Sequence, residues 1–368
     1  IIKAHPIITL AVIAATPILF MALLKQMRNM HRIHVAKNLV YMRITLPKAD
    51  SSKDKEKETE KDFREKISIM AQFFRNLHET RELNLMNILR TRIFQDNIFT
   101  LELVSQHKVV DFYITTPKYY ENLIEKQITS YYPDADIEVV DMYEHRPKGN
   151  KMKGYFAYEE NPYWFPMKTF KVVENDPLNS LTNIFTKLTE EETAVIQLVI
   201  RPKSDKWSKK AEAVGETFFK GKKTGGLKIP LLGGFFNVLK GIFLGYEKME
   251  QEQSQGGDGY VRMLQSKEDV AKRMGEKSSQ SGFDTVIRLL STAKTEVRAD
   301  EIANNMIIGL SLFKDTSANW LQTKRIFFID SINDKWFEYN FKNRLLDSRI
   351  FGLGEKISIM SEEELASI

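Results

Sequence analysis

The chain has 368 residues, 28% of them charged and 42% hydrophobic, with a net charge of +5. That balance excludes a disordered polyelectrolyte, leaves room for about two domains at ~100–200 residues each, and suits an anionic lipid surface better than it demands nucleic acid. The lack of any cysteine excludes disulfides, thiolate metal sites and cysteine nucleophiles, and fits a reducing compartment.

The stretch from Ile7 to Leu24 carries no charge, and a bilayer core takes about 20 apolar residues of helix. It reads as a transmembrane helix with a mild kink at Pro17, because membrane helices tolerate the lost hydrogen bond. Ile7, Leu10, Ile13, Ile18, Phe20 and Leu23 are its expected lipid contacts. Lys25, Arg28, His31, Arg32, His34 and Lys37 follow closely, so the positive-inside rule places the remainder in the cytoplasm. Lys25, Arg28 and Arg32 are assigned to headgroups or nucleic acid. A secretory signal would carry its charge in front of a shorter apolar core. The chain opens on Ile rather than Met, which points to processing or to a cut from something longer.

After this anchor, Val40, Met42, Ile44 and Leu46 alternate with polar neighbours and predict a strand over 38–47. Residues 49–61 read as a solvated loop. Phe63, Ile67, Met70, Phe74 and Leu77 recur at helical steps and predict a helix over 62–83. Residues 97–105 and 109–115 form a hairpin around His107, 119–131 a helix, and 137–140 a strand. The order is βαββαβ, the ferredoxin-like pattern of an antiparallel sheet with both helices on one face. Residues 154–164, crowded with Tyr155, Phe156, Tyr158, Tyr163 and Trp164, read as an extended bridge between domains.

A second such unit follows: a strand over 167–173, a helix opened by Asp176 and Pro177, strands over 194–202 and 283–291, a helix over 297–313 and a strand over 320–329. The chain therefore reads as an α+β internal duplication. Its expected parts are an anchor with basic juxtamembrane segment (1–37), a first ferredoxin-like domain (38–150), a second (151–335) interrupted by an insertion (203–282), and a connector (336–368). Within the insertion, 207–219 predicts a basic-faced helix carrying Lys209 and Lys210. The glycine-rich run 221–245 has no acidic residue. Its Leu231, Phe235, Phe236, Leu239 and Phe243 suit burial in the bilayer interface, with Lys222 and Lys223 at headgroups or nucleic acid. A lid on the domain core or on a neighbouring subunit is the alternative.

Catalytic motifs are lacking. Gly215 and Gly221-Lys222-Lys223-Thr224 approach a phosphate loop, yet five residues separate the glycines and Lys223 stands where Ser or Thr is required. His31 and His34 have no carboxylate near them in sequence, and Glu190-Glu191-Glu192 reads as a solvated charge run. In the strand 109–115, Asp111 breaks the signature of an RNA-binding sheet and leaves only Tyr113 as a stacking platform. The reading is therefore not an enzyme, with no cofactor or metal.

The closing segment Ser361-Glu362-Glu363-Glu364-Leu365-Ala366 resembles the S-x-E-E-L-A run that precedes the motor domain in bacterial type IV secretion and conjugation ATPases, TraG-like and HerA-like DNA translocases. Tyr131 to Ile137, Asp176-Pro177-Leu178, Ile196 to Pro202 with Trp207, and Gly282-Phe283 are similar to the accessory region of that family. The resemblance implies a single-pass anchor in the bacterial inner membrane and assembly as a homo-oligomer. It also implies association with an ATPase module, lying beyond Ile368, or with secretion-system subunits. Nucleic acid would be contacted without specificity. No ATPase residue carries over. The competing expectation is a stand-alone membrane-surface scaffold that binds lipid or a protein partner.

Overall fold

The computed structural model describes residues 6–45, 60–81, 97–173, 182–219, 265–326, 330–346 and 354–368, with backbone alone for a few helical residues, 6–14 among them. The predicted loop 49–61 lies almost entirely, and the helix start at Asp176 and the run 221–245 wholly, outside them. Helix α1 (Pro6–Ala36) runs 31 residues without a break at Pro17. A turn at Lys37, where the Asn38 side-chain amide donates to the His34 carbonyl at 3.1 Å, leads into β1 (Leu39–Thr45). Among the described residues no helix is long and apolar enough to cross a membrane.

α2 (Glu60–His78) buries Phe73, Phe74 and Leu77. β2 (Phe99–Gln106) and β3 (Val109–Pro117) form a hairpin through His107 (φ 50°) and Lys108 (φ 64°). Two consecutive left-handed residues give the turn whose twist matches that of its strands. α3 (Glu121–Tyr131) and β4 (Asp136–Val140) complete the first half.

β5 (Lys151–Glu159) is a strand where a bridge was expected. Its aromatics mask an ordinary alternation, with Met152, Gly154 and Phe156 on one face and Lys153, Tyr155 and Ala157 on the other. A Cβ at Gly154 would overlap the Phe337 ring, so only glycine fits there. The segment expected as a strand at 167–173 is instead irregular, with a turn at 170–172. Its amides are taken elsewhere: Met167 N donates to Glu364, Phe170 N to Ser367 Oγ and Lys168 N to the Phe313 carbonyl, leaving no ladder to form.

A helical turn at 182–185 precedes β6 (Thr193–Pro202). α4 (Lys206–Phe219) and α5 (Gln265–Ser278) pair beside it and bracket the centre of the insertion. β7 (Gly282–Ala293), α6 (Glu296–Leu310), the short β8 (Leu321–Lys324), α7 (Asp330–Lys342), β9 (Ser358–Ser361) and α8 (Glu362–Ser367) finish the chain. β8 stops well before the expected 329.

The nine strands among the described residues join one antiparallel sheet of order β4-β1-β3-β2-β6-β7-β5-β8, with β9 paired to the start of β7. The two halves meet where β2 pairs β6, and the order mirrors itself about that seam. α2, α3, α6 and α8 share the main core on one face with Phe99, Ile196, Leu198 and Leu289. α7 covers the other through Phe337 and Phe341, against Val104, Val195 and Leu290. β6 and β7 are consequently buried on both faces.

Candidate functional site

Three clusters of polar side chains organise the molecule. The first is a row that crosses the sheet in register. Glu138 lies opposite Arg43, Arg43 opposite Tyr113, Tyr113 opposite Glu102, Glu102 opposite Gln197, and Gln197 opposite Arg288. Alternation puts these side chains on the face that α7 and the segment after it cover. Arg288 donates through Nε to Glu355 Oε1 at 2.7 Å and through Nη1 to Gln197 Oε1 at 2.9 Å. Gln197 donates to Glu102 at 3.0 Å. Glu102 also accepts both arms of Arg344, at 3.0 and 3.1 Å, and the Tyr143 hydroxyl at 2.7 Å. Burial opposes the Arg344 charge, yet Glu102 and the neighbouring Tyr143 and Tyr41 hold its pKa above the usual value. Burial, reinforced by Glu102, pushes the Tyr143 phenol well up. Arg344 also takes the left-handed conformation (φ 47°) and lies 4.7 Å from the Tyr41 ring centroid. Every charge in this row has a counter-charge, which is how a protein interior retains ions.

The second cluster holds the C-terminal segment. Ser361 and Glu364 form a capping box at the start of α8. Glu362 accepts Arg75 Nε at 2.9 Å and the Ser281 amide at 3.2 Å. Lys277, 3% exposed, lies 2.9 Å from Glu159 and 2.8 Å from Glu364. Burial lifts the Glu159 carboxyl to about 7 against the pull of Lys277, with Glu364 adding to the rise. Burial alone would discharge Lys277, but the two carboxylates keep its pKa raised. The charge run Glu362-Glu363-Glu364 is thus mostly internal structure. Spacing signals only the capping box; the contacts of Glu362, Glu159 and Lys277 have no such signal, because their partners lie far along the chain.

The third is the root of α1. Here His31, Arg32, Val35 and Ala36 border a cleft with Leu39, Thr100, Asn343 and Arg344. Arg32 is 7% exposed and turned into the protein rather than toward headgroups. Lys25 is exposed and Arg28 half-buried. Phe20 and Leu23 are 61% and 52% exposed, and Leu19, Met27 and Met30 join them. The side chains of Ile7, Leu10, Ile13 and Ile18, and all of Lys222, Lys223, Leu231, Phe235, Phe236, Leu239 and Phe243, lie outside the described residues.

Lys209 and Lys210 are exposed on α4, with the Lys210 ammonium 5.6 Å over the Trp164 ring. Tyr113 is buried against Tyr143 with centroids 5.2 Å apart, so it offers no stacking platform. His78 meets the Lys203 carbonyl at 2.9 Å and His145 meets Glu338 at 3.1 Å. Among the described residues no three His, Asp or Glu side chains could hold a metal ion. What the arrangement does chemically is lock elements together and raise the pKa of one buried carboxyl, that of Glu159.

A family described as a domain of unknown function (DUF8128) matches residues 57–309, more than two thirds of the chain. The matched span reaches from just before α2 into α6. A search of curated proteins found no match.

Proposed function

Because the chain belongs to the DUF8128 family, whose description assigns no activity, its role has to come from its own residues, and we propose a non-catalytic membrane-anchoring and assembly region. The observation that carries this reading is α1 itself. It is one continuous helix that begins in the apolar run, passes through Lys25 and Arg28, and ends rooted at the buried Arg32, beside Leu39 and Thr100 of the sheet. A helix continuous with the core transmits position from a bilayer to the domain better than a helix on a flexible linker. In this reading 7–24 spans the inner membrane, the cations after it meet anionic headgroups, and the sheet lies on the cytoplasmic side.

We also propose a duplicated fold. Each half is a ferredoxin-like unit, and the pair arose by duplication. The mirrored strand order β4-β1-β3-β2 and β8-β5-β7-β6 supports it, since each half places its four strands in the same sequence from edge to seam. The two units then form one platform rather than two independent bodies.

The sequence resemblance extends the role: the platform stands ahead of a type IV secretion or conjugation ATPase, and α8 is the exit toward that motor. Support comes from the segment that carries the resemblance. Ser361, Glu362 and Glu364 fix its direction through the capping box, Arg75 and Lys277. The test is cryo-electron microscopy of the native protein extracted from membranes, with mass spectrometry of its C-terminus. A nucleotide-binding module in continuous density after α8, or held as a separate subunit, is the expected result. A native particle lacking any ATPase removes the motor and leaves a membrane-surface scaffold.

A further inference from the structure

The exposed face of α1 has a period that lipid alone does not require. Phe20, Leu23, Met27, Met30 and His34 follow one another at steps of 3, 4, 3 and 4, the a and d positions of a heptad. All five are exposed, with Phe20 at 61%, Leu23 at 52%, Met27 at 51% and Met30 at 66%. Together they make a seam about 21 Å long at 1.5 Å per residue. Lys25, Arg28 and Arg32 fall on the far side of the same helix, at f, b and f. The positions flanking the seam, Leu19, Leu24, Gln26, His31 and Ile33, include no lysine, arginine or carboxylate.

Two features say what covers this seam. The helix attaches to its own domain through the face that carries Arg32, so the seam points away from the sheet. Met27 and Met30 also lie beyond Lys25, past the end of the uncharged run, where an apolar side chain would face water unless another protein covered it. The first acidic residue of the chain is Asp50. Two α1 helices therefore have no salt bridge to offer each other, and like charges would oppose contact through the face that carries Lys25, Arg28 and Arg32. Along the seam identical layers meet without repulsion, and methionine adapts its shape to fit.

We infer that α1 packs in parallel, in register, against the same seam of a second copy of this chain. The orientation rests on the membrane reading above, since two anchors in one bilayer with their domains on one side are parallel. The period itself does not depend on it. A 3.5-residue repeat specifies a left-handed crossing, the geometry shared by soluble coiled coils and most membrane helix bundles.

The absence of native cysteine allows a direct test. Met27→Cys, Met30→Cys, Lys25→Cys and Arg28→Cys are introduced singly into the full chain, and cells are broken and separated into membrane pellet and supernatant. Each fraction is oxidised with copper phenanthroline. The two seam variants should give a disulfide-linked dimer on a non-reducing gel, with the Lys25 and Arg28 variants several-fold lower. Equal yields at all four positions, or no dimer from the seam variants in whichever fraction holds the protein, overturns the seam. Dimer from the seam variants in the supernatant keeps the seam and removes the anchor, so the two readings fail separately. As a second measurement, Met30→Glu, an exposed position whose change leaves the domain core intact, should shift the detergent-extracted protein from oligomer to monomer in sedimentation velocity. An unchanged oligomer contradicts the inference.

Discussion

One polar row crosses both halves of the sheet, but its two ends stand in different surroundings. At the β4 edge Arg43 and Glu138 pair in solvent, 40% and 56% exposed. Beyond the seam Arg288 and Glu355 pair with no exposure at all, under the segment that follows α7. The residue types are the same; only the cover differs. At the edge water screens the charges and competes for them, so the pair contributes little. In the middle neither ion can return to water without moving the C-terminal segment, so the pair acts as a clamp whose strength appears when one partner is removed.

The largest effect should therefore come from Arg288→Met. It leaves Glu355 buried without a counter-charge, and breaking a buried pair in this way costs about 3–5 kcal/mol. Urea unfolding should show a large drop in midpoint, and adding Glu355→Leu should restore most of it. A drop no larger than that of an exposed pair would mean that water reaches Glu355.

The C-terminal latch gives an intermediate effect with a definite sign. Glu159 is raised to about 7 in the folded protein, above the ordinary value near 4.3 expected in the unfolded chain. Its contribution to stability is thus fully present below the unfolded value and is lost as pH rises toward about 7, by at most ~1.4 kcal/mol per pH unit. Lys277, raised as well, acts only in the alkaline range. Glu159→Gln should flatten urea midpoints measured between mildly acid and mildly alkaline pH, and an unchanged slope would assign the dependence to other groups. The smallest effect is expected at the exposed end of the row, where Arg43→Ala should leave the urea midpoint unchanged. A clear loss there would show that β4 is covered by something in solution.

The same contrast explains what the sequence reveals. Local signals are faithful. The step pattern of α2, the hairpin at His107, α3, β6, β7 and α6 all follow from periodicity that neighbouring residues impose on one another. Long-range placement is a different matter. Glu102, Gln197 and Arg288 have the spacing of solvent-facing members of alternating strands, and only the return of α7 and Glu355 over that face buries them. Residues 167–173 carry strand composition, but α8, nearly two hundred residues later, takes their amides. β5 is hidden for the opposite reason, since its aromatic density draws attention away from a plain alternation. Of the candidate site residues, Lys25, Phe20, Leu23, Lys209 and Lys210 are exposed as the composition suggests. Arg32 is not, because the helix face rooted in the domain is fixed by tertiary contact and not by the cluster of cations around it.

Alkaline carbonate extraction of native membranes tests whether α1 holds this platform in a bilayer, as proposed. The full chain should stay in the pellet after carbonate and be released only by detergent. Recovery of the chain in the carbonate supernatant would contradict the anchor.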